Sequence, residues 1–264
     1  MKAILSFPVL FLAVFVPGDH FSRAVAHPHP LTQSGVVQTS GTGGSDHRAF
    51  SNLQRKDQDS WISLFDGRSL KGWRGYHHQP TAVWQVQNGT IHCLGHTAGP
   101  GAIQTDLVTD KMYGNFDLSL EWKISPKGNS GILYHVTEKD AESYDTGPEY
   151  QIIDDVNYPE KLEDWQHTGA NYAMEVPSIR PVLPAGQWNL SRIRVRGSHV
   201  EYWLNGHKIL DFHMWDKAWN ALKNSGKWKD YPDYGMAKKG YIALQDHGDP
   251  VWFRQIKIRV LTQP

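Results

Sequence analysis

The sequence of 264 residues has a single cysteine, Cys93, and no excess of charge of either sign. One cysteine excludes a framework of internal disulfide bonds. Lys+Arg and Asp+Glu number 27 each, so the charge balance gives no electrostatic reason to expect nucleic acid or an anionic membrane as a partner. Nucleotide-binding glycine loops, a G-x-S-x-G nucleophile turn and a helical H-x-x-x-H zinc spacing are also missing. A serine hydrolase and a nucleotide-dependent enzyme therefore have no support.

Aromatic residues are abundant, with 11 Trp and 11 Tyr. Such rings can lie flat against the C–H faces of sugars, although in an all-β protein many of them simply fill the core. Any single Trp is therefore ambiguous between a sugar platform and a core residue.

The N-terminal residues predict an exported protein. Lys2 is followed by the apolar run "AILSFPVLFLAVFV", and Ala24-Val25-Ala26 fits a signal-peptidase site, so residues 1–26 are interpreted as a signal peptide. The apolar run is too short to span a bilayer. Residues 27–60 are rich in His, Pro, Gly and Ser and are interpreted as a flexible linker. We expect one folded domain over residues 61–264, located in the periplasm or outside the cell.

The pattern after Trp61 has a period of two, which is typical of β-strands. Asn88-Gly89 and Asn205-Gly206 each join two alternating runs, as in type I′ hairpins. A single helix is expected around "DKAWNALKNSG", ending near Gly226. Further strand candidates are "GAIQTD", "NFDLSLEWKI", "SGILYHV", "EYQIID", "GANYAM", "WNLSRIRVRG", "GYIALQDHG" and "VWFRQIKIRVL". Ten or more strands with one helix predict an all-β sandwich.

The run "GPEYQIIDD" carries polar residues on a strand. Alternation places Glu149 and Gln151 on one face, about 6.6 Å apart along the strand. Asp154 would share that face only through a β-bulge near residues 152–153. The spacing E-x-Q-x-x-D resembles the E-x-D-x-x-E strand of jelly-roll glucanases, but Gln151 cannot ionise. A double-displacement glycosidase needs two carboxyl groups about 5–5.5 Å apart, so that reading is weakened.

Other polar and aromatic residues lie on predicted strands or at their ends. "LQDHG" places Gln245, Asp246 and His247 after an apolar run, and "DWQHTGANYAM" contributes His167 and Tyr172. The remaining candidates are Trp122, Tyr134, His135, Trp252 and Arg254. An isolated histidine on a strand is more often a hydrogen-bonded structural residue than a functional one.

Taken together, seven segments resemble the 3-keto-disaccharide hydrolase family in order from about Trp61 to Leu261. They are "WISLFDGRSLKGW", "GNSGILYHV", "TGPEYQIIDD", "PEKLEDWQHTGANYAM", "WNLSRIRVRGSHVEYWLNGHKI", "WKDYPDYG" and "GYIALQDHGDPVWFRQIKIRVL". The resemblance implies a concanavalin A-like jelly-roll sandwich of two antiparallel sheets. It also implies a sugar substrate that a separate dehydrogenase has oxidised at C3, and cleavage by C2 deprotonation, elimination and hydration.

The implied chemistry needs a base near C2, a donor to the enolate oxygen and an acid for the leaving oxygen. Glu149 or Asp154 is the candidate base, and His167 or His247 the candidate donor or acid. Gln151, Tyr134 and Arg254 would orient hydroxyl groups, Trp122 or Trp252 would stack on the ring, and His135 is a further substrate-binding candidate. A divalent cation bound by the substrate's keto and hydroxyl oxygens could replace the protein donor, but no ligand set is defined.

Two alternatives stay open at this stage. A lectin-like carbohydrate-binding module would share the fold and the aromatic residues without any turnover. A conventional jelly-roll glucanase would need the second carboxylate that Gln151 replaces. The sequence defines neither the glycosidic linkage nor the oligomeric state.

Overall fold

A computed structural model describes residues 60–262 of the chain. The predicted signal peptide and all of the predicted linker except Ser60 lie outside these residues, so those assignments stay predictions. All described residues fall within one compact unit. Among residues 60–262, no helix has the length and apolar character needed to cross a membrane.

The secondary structure is almost entirely β. The strands are β1 (Ile62–Ser63), β2 (Trp73–Gly75), β3 (Trp84–Gln87), β4 (Thr90–Cys93), β5 (Leu107–Thr109), β6 (Phe116–Ile124), β7 (Asn129–Val136), β8 (Glu149–Ile153), β9 (Asn189–Arg196), β10 (His199–Leu204), β11 (His207–His213), β12 (Tyr241–Leu244) and β13 (Val251–Val260). The helix α1 spans Lys217–Ser225. Short 3₁₀ turns occupy Tyr76–His78, Gly95–Ala98, Ser143–Asp145, Asp164–Gln166 and Lys227–Asp230.

The strands form two antiparallel sheets. The eight-stranded sheet has the order β11-β10-β9-β6-β13-β4-β3, with β1 added alongside β13, and the five-stranded sheet has the order β2-β5-β12-β7-β8. The predicted concanavalin A-like jelly-roll sandwich with one short helix is confirmed.

Alternation along the strands builds the core between the sheets. Phe116, Leu118 and Trp122 of β6 point into it from the larger sheet, and Ile132 and Tyr150 from the smaller one. A second, smaller apolar cluster lies on the opposite face of the five-stranded sheet, formed by Tyr76, Val108, Leu133, Val136 and Ala243. The outer face of the smaller sheet is thus partly apolar and is covered by loops. Side chains on this face can therefore be buried.

The local signals in the sequence gave mixed results. Asn88 and Asn205 have φ values of 50° and 48° and each precedes a positive-φ glycine, as the hairpin prediction required. Asp216 caps α1 by accepting a hydrogen bond from the Trp219 N–H at 2.8 Å. The strand predictions "GAIQTD" and "GANYAM" were wrong, because the first is an irregular segment leading into β5 and the second a turn with isolated bridges at Asn171.

Candidate active site

A cavity of about 290 Å³ opens on the outer face of the five-stranded sheet. Its floor is the sheet itself, and its walls come from the loops after β4, β7, β8, α1 and β12. The lining residues are Asp106, Asn129, Glu142, Tyr144, Glu149, Gln151, Tyr172, Lys227, Tyr231, Gln245, Asp246 and His247. Oxygen and nitrogen groups dominate this set, which suits a ligand that carries many hydroxyl groups.

The pairing of β7 with β8 places two of these residues on the floor. Gly131 lies opposite Gln151 in an unbroken register, while Tyr150 packs in the core on the other face of β8. Glu149 and Gln151 therefore share the outer face, as strand alternation requires. A Cβ atom on Gly131 would collide with the carboxyl group of Glu149. The glycine provides the space that this carboxyl group occupies.

Two further buried amides, Gln245 and Asn129, line the cavity. The side chain of Gln245 hydrogen-bonds to the Glu149 carboxylate. Among residues 60–262, no hydrogen-bond donor is recorded for Gln245 Oε1 or for Asn129 Oδ1, although both atoms are buried. Buried oxygens without a protein partner are costly unless a ligand or water satisfies them. Both atoms can accept hydrogen bonds from substrate hydroxyl groups.

The electrostatics of Glu149 differ from those of an ordinary glutamate. Its burial raises the pKa of the carboxyl group to about 8, and the charge of Asp106 adds to this rise. The positive charge of Lys227 and the hydrogen bond from Gln245 act in the opposite direction. A carboxyl group with a pKa in this range can exchange protons near neutral pH.

Asp106 is a second carboxyl group with a raised pKa in the same cavity. Burial raises its pKa to about 7, although hydrogen bonds from the Ser143 hydroxyl and the Asp246 N–H favour the ionised form. The Asp246 amide donates at 2.8 Å, and Ser143 Oγ is in direct contact with the other carboxyl oxygen. Asp106 is therefore held firmly at the wall.

The rim and walls carry the remaining polar groups. Three of these residues are exposed to solvent, namely Glu142, Lys227 and His247. The side chains of Tyr144 and Tyr172 are half-buried. Among the described residues that line the cavity, Lys227 is the one lysine or arginine. Its Nζ lies 4.4 Å from the ring centre of Tyr172 and 5.7 Å from that of Tyr144. The loss of surrounding water lowers the pKa of its ammonium group.

Six of the residues singled out from the sequence line this cavity, namely Glu149, Gln151, Tyr172, Gln245, Asp246 and His247. Asp154 does not line it. The β7–β8 register has no bulge, so the shift that would bring Asp154 to the face of Glu149 is absent from these strands. This part of the expectation is corrected: Asp154 is buried at the end of β8 as a loop-organising residue.

The hydrogen bonds of Asp154 explain its position. Its carboxylate accepts from the backbone N–H of Lys127 at 2.8 Å and from the Asn157 N–H at 3.2 Å. Burial alone would raise the pKa of this group, but these hydrogen bonds, together with those from the Asn157 side chain and Val156, hold it below its usual value.

His167, Tyr134 and His135 also lie outside the cavity lining. His167 Nδ1 is 3.4 Å from Asp155 Oδ1, beyond the end of β8. Tyr134 is buried between the sheets, where its hydroxyl accepts a hydrogen bond from the Tyr202 hydroxyl at 2.9 Å. The His135 Nε2 is 2.8 Å from the Gly114 carbonyl oxygen.

The three candidates on the larger sheet are likewise not part of the cavity lining. Trp122 is a core residue whose Nε1 donates to Ser191 Oγ at 2.8 Å. Trp252 lies on the outer face of the eight-stranded sheet and stacks on His92 with a centroid distance of 4.4 Å. Arg254 lies on the same face, with its Nε 2.6 Å from Glu121 Oε2. The aromatic walls of the cavity come from tyrosines instead.

Most of the other lining residues gave no periodic signal in the sequence. Asp106 lies in the wrongly predicted strand "GAIQTD". Lys227 begins the 3₁₀ turn after α1, for which the sequence made no prediction. The segment "LQDHG" was the useful signal, because its polar triplet ends a buried strand, and Gln245, Asp246 and His247 all line the cavity.

The donor set of the cavity does not match a preformed cation site. In the part of the chain that the structure describes, the group of three His, Cys, Asp or Glu ligand atoms within 4.8 Å of one another is His199, Glu201 and Asp211. That group lies on β10 and β11 of the other sheet, and Lys208 Nζ already pairs with Asp211 at 2.6 Å.

Comparison with known proteins places the chain in a family. The family model described as the 3-keto-alpha-glucoside-1,2-lyase-like domain matches residues 60–259. A curated relative from Bacteroides thetaiotaomicron, named 3-keto-disaccharide hydrolase, is 35% identical over 233 residues, which cover 78% of this chain and 80% of the relative. The chain belongs to the 3-keto-alpha-glucoside-1,2-lyase-like family.

Solved structures agree with this assignment. A candidate glycosyl hydrolase from Parabacteroides distasonis is 42% identical, has a TM-score of 0.73 and is matched over 79% of this chain and 97% of its own. A second protein with that description from the same organism is 28% identical, with a TM-score of 0.60 over 76% of this chain and 100% of its own. Family and relatives together support a glycoside-cleaving class of activity.

Proposed function

We propose that this protein cleaves glycosides whose sugar has been oxidised to a ketone at C3. The observation that carries the proposal is Glu149, a carboxyl group with a raised pKa at the floor of a sugar-sized cavity. The family assignment and the name of the Bacteroides relative support the keto-sugar as substrate class.

The ketone makes proton abstraction feasible. It acidifies the neighbouring C2–H bond, because the electron pair left at C2 moves onto the C3 oxygen as an enolate. Return of that electron pair forms a C1–C2 double bond and breaks the C1–O bond, and the leaving oxygen takes up a proton. Water then adds its hydroxyl to C1 and a proton to C2, so that the overall reaction is hydrolysis.

Glu149 is the proposed base at C2. It is buried on the sheet floor of the cavity, and its pKa of about 8 lies close enough to neutral pH for proton exchange. After elimination the protonated Glu149 exchanges its proton with solvent through the open cavity and returns a solvent-derived proton to C2 during hydration.

His247 is the proposed acid at the leaving oxygen. It lies at the exposed rim of the cavity, the side from which a leaving group can depart to solvent. A histidine ring nitrogen can donate a proton to the leaving oxygen. Gln151, Asn129 and Gln245 line the floor and are proposed to fix the ring by hydrogen bonds to its hydroxyl groups.

A conventional glycosidase is the second candidate, because Asp106 and Glu149 do place two carboxyl groups in one cavity. Such an enzyme needs one carboxylate that is ionised at neutral pH as nucleophile or base. The family assignment and the name of the Bacteroides relative favour the keto-sugar reaction over this alternative.

The cellular setting is also part of the proposal. Export to the periplasm or the exterior rests on the signal-like residues 1–26, and a separate dehydrogenase must supply the oxidised sugar. Mass spectrometry of the protein purified from the exported fraction tests the first point. A mature N-terminus at residue 27 is expected, and an intact Met1 on exported protein would contradict it.

The experiment that tests the function compares a 3-keto-disaccharide with its unoxidised parent by chromatography of the released sugars. Turnover of the ketone alone is expected, and Glu149→Gln should abolish it. Glu160→Gln serves as the matched control, because Glu160 is exposed and does not line the cavity. Turnover of the parent sugar would favour the glucanase, and binding of either sugar without turnover would favour a lectin-like module.

The possible divalent cation is tested in the same assay. We expect activity to persist after EDTA treatment and dialysis, since the described residues of the cavity show no preformed set of three carboxylate or histidine ligands. Loss of activity that Mg²⁺ or Mn²⁺ restores would show that a cation takes part.

A further inference from the structure

We propose that Lys227 is the group that stabilises the C3 enolate oxygen when the C2 proton leaves. This inference rests on the proposed function and adds a catalytic residue to it. No sequence pattern marks Lys227, which is far from Glu149 along the chain and yet lines the same cavity.

The chemistry requires a positive charge or strong donor at that oxygen. Four carboxyl groups line the cavity, those of Asp106, Glu142, Glu149 and Asp246, and each of them when ionised would oppose a new negative charge. Lys227 is the one lysine or arginine among the described lining residues. A preplaced ammonium group at the cavity wall stabilises a developing oxyanion without reorganisation during the reaction.

The position of Lys227 is fixed by its neighbour. Trp228 is fully buried, stacks on Tyr234 with a centroid distance of 3.9 Å, and donates from Nε1 to the Tyr172 carbonyl at 3.0 Å. The 3₁₀ turn Lys227–Asp230 is therefore anchored by a core residue. Lys227 extends from this anchored turn to the cavity wall.

The ammonium group is held by rings and not by an ion pair. Its Nζ lies 4.4 Å from the ring centre of Tyr172 and 4.5 Å from that of Trp228. Within residues 60–262, the ion pairs with N–O distances up to 4.0 Å do not include Lys227. Its N–H donors are consequently not consumed by a carboxylate and can serve a ligand.

Lys227 also acts on the base. Its charge lowers the pKa of Glu149 against the larger effect of burial, and Glu149 in turn supports the charged form of Lys227. A single residue can thus favour the ionised form of the base and receive the negative charge that proton abstraction creates.

A purely structural role would consist of the cation–π contacts alone. In that case Lys227→Met, which keeps the length and packing of the side chain, would change stability slightly and leave the chemistry intact. The test must therefore measure proton abstraction itself.

The experiment follows the exchange of the C2 proton of 3-keto-glucose with D₂O by NMR. This monosaccharide has no aglycone, so exchange reports enolate formation without glycosidic cleavage. We expect Lys227→Met to slow exchange by about 10²- to 10³-fold, with little change in binding of the sugar. Lys227→Arg should retain a larger part of the rate. Lys229→Met is the matched control, because Lys229 belongs to the same turn but does not line the cavity.

Chemical restoration of the ammonium group distinguishes loss of catalysis from misfolding of the variant. Cys93 is buried and its burial raises the pKa of the thiol, so an introduced Lys227→Cys thiol is the accessible target for alkylation. Treatment with 2-bromoethylamine, which rebuilds an ammonium side chain, should restore exchange, while iodoacetamide, which leaves a neutral side chain, should not.

The outcomes distinguish the role of Lys227 from the proposed function. Exchange by Lys227→Met within about threefold of the wild-type rate, or equal rescue by both reagents, would overturn the role of Lys227 while the function stands. A wild-type protein that binds 3-keto-glucose but catalyses no exchange would overturn the proposed function and this inference with it.

Discussion

Gly131 and Glu149 are neighbours on adjacent strands. The carboxyl group of Glu149 occupies the space that a side chain at position 131 would fill. Glu149 is thereby held on the sheet floor of the cavity while Tyr150 beside it packs in the core. The relation makes the position of the proposed base depend on a glycine that carries no chemistry of its own.

Replacing that glycine tests the dependence. Gly131→Ala should push the Glu149 carboxyl aside and lower kcat/KM by about 10²-fold, since small displacements of a reacting group are costly. The displaced atoms are the end of a flexible side chain, so stability should fall only slightly. Kinetics and thermal unfolding of the variant give both numbers. Wild-type kcat/KM in the variant would show that the carboxyl position does not matter.

The buried Glu149 should make stability depend on pH in a defined direction. Its pKa is about 8 in the folded protein and near 4.5 in the unfolded chain, so the folded state holds an extra proton between these values. Stability from this group is full below pH 4.5 and is lost as the pH rises through 8. Glu149→Gln should therefore be more stable than wild type by about 1–3 kcal/mol at pH 9 and nearly equal at pH 4.5. Urea unfolding of both proteins at both pH values measures this difference. A variant that is no more stable than wild type at pH 9 would refute the prediction.

The pH dependence of the reaction reports the role of the same residue. If Glu149 is the base, kcat/KM should rise with pH along a limb with an apparent pKa near 8, the value of the free enzyme. Asp106 titrates nearby and will share in that limb, so the value belongs to the pair. A kcat/KM that falls through this range would instead make Glu149 an acid.

Asp154 should matter for stability and not for chemistry. Its lowered pKa reflects the hydrogen bonds that organise the loop after β8, and it lies outside the cavity lining. Asp154→Ala should lower the free energy of unfolding by about 1–3 kcal/mol at pH 7 and leave kcat within about threefold. The difference should shrink as the pH falls through the native pKa of Asp154, because protonation removes the same stabilisation from the wild type. A large loss of kcat with an unchanged melting temperature would return Asp154 to the list of catalytic candidates.

The sequence anticipated features whose causes are local. Asn88-Gly89 predicted a hairpin because both positions need positive φ. The run "DKAWNALKNSG" predicted a helix, and in the structure Asp216 caps its first turn. Alternation along β8 likewise placed Glu149 and Gln151 on one face. These signals depend on residues only a few positions apart.

Features that depend on contacts between residues far apart in the chain could not be predicted from the sequence. Asp106 and Lys227 reach the cavity from loops whose paths depend on the packing of both sheets, and no period marks them. Trp122 and Trp252 were expected to stack on a sugar, but the sheet pairing assigns one to the core and the other to the far face of the larger sheet. The identity of a face is a property of the tertiary fold, which alternation alone does not supply.

The most direct test of the central claim is NMR of the cleavage of a 3-keto-disaccharide in D₂O. The account predicts that the released 3-keto-sugar carries deuterium at C2, because Glu149 removes that proton and a solvent-derived deuteron is returned during hydration. Released sugar that keeps its original C2 proton, with cleavage proceeding at the full rate, would contradict elimination and show that the glycosidic bond is broken by direct displacement.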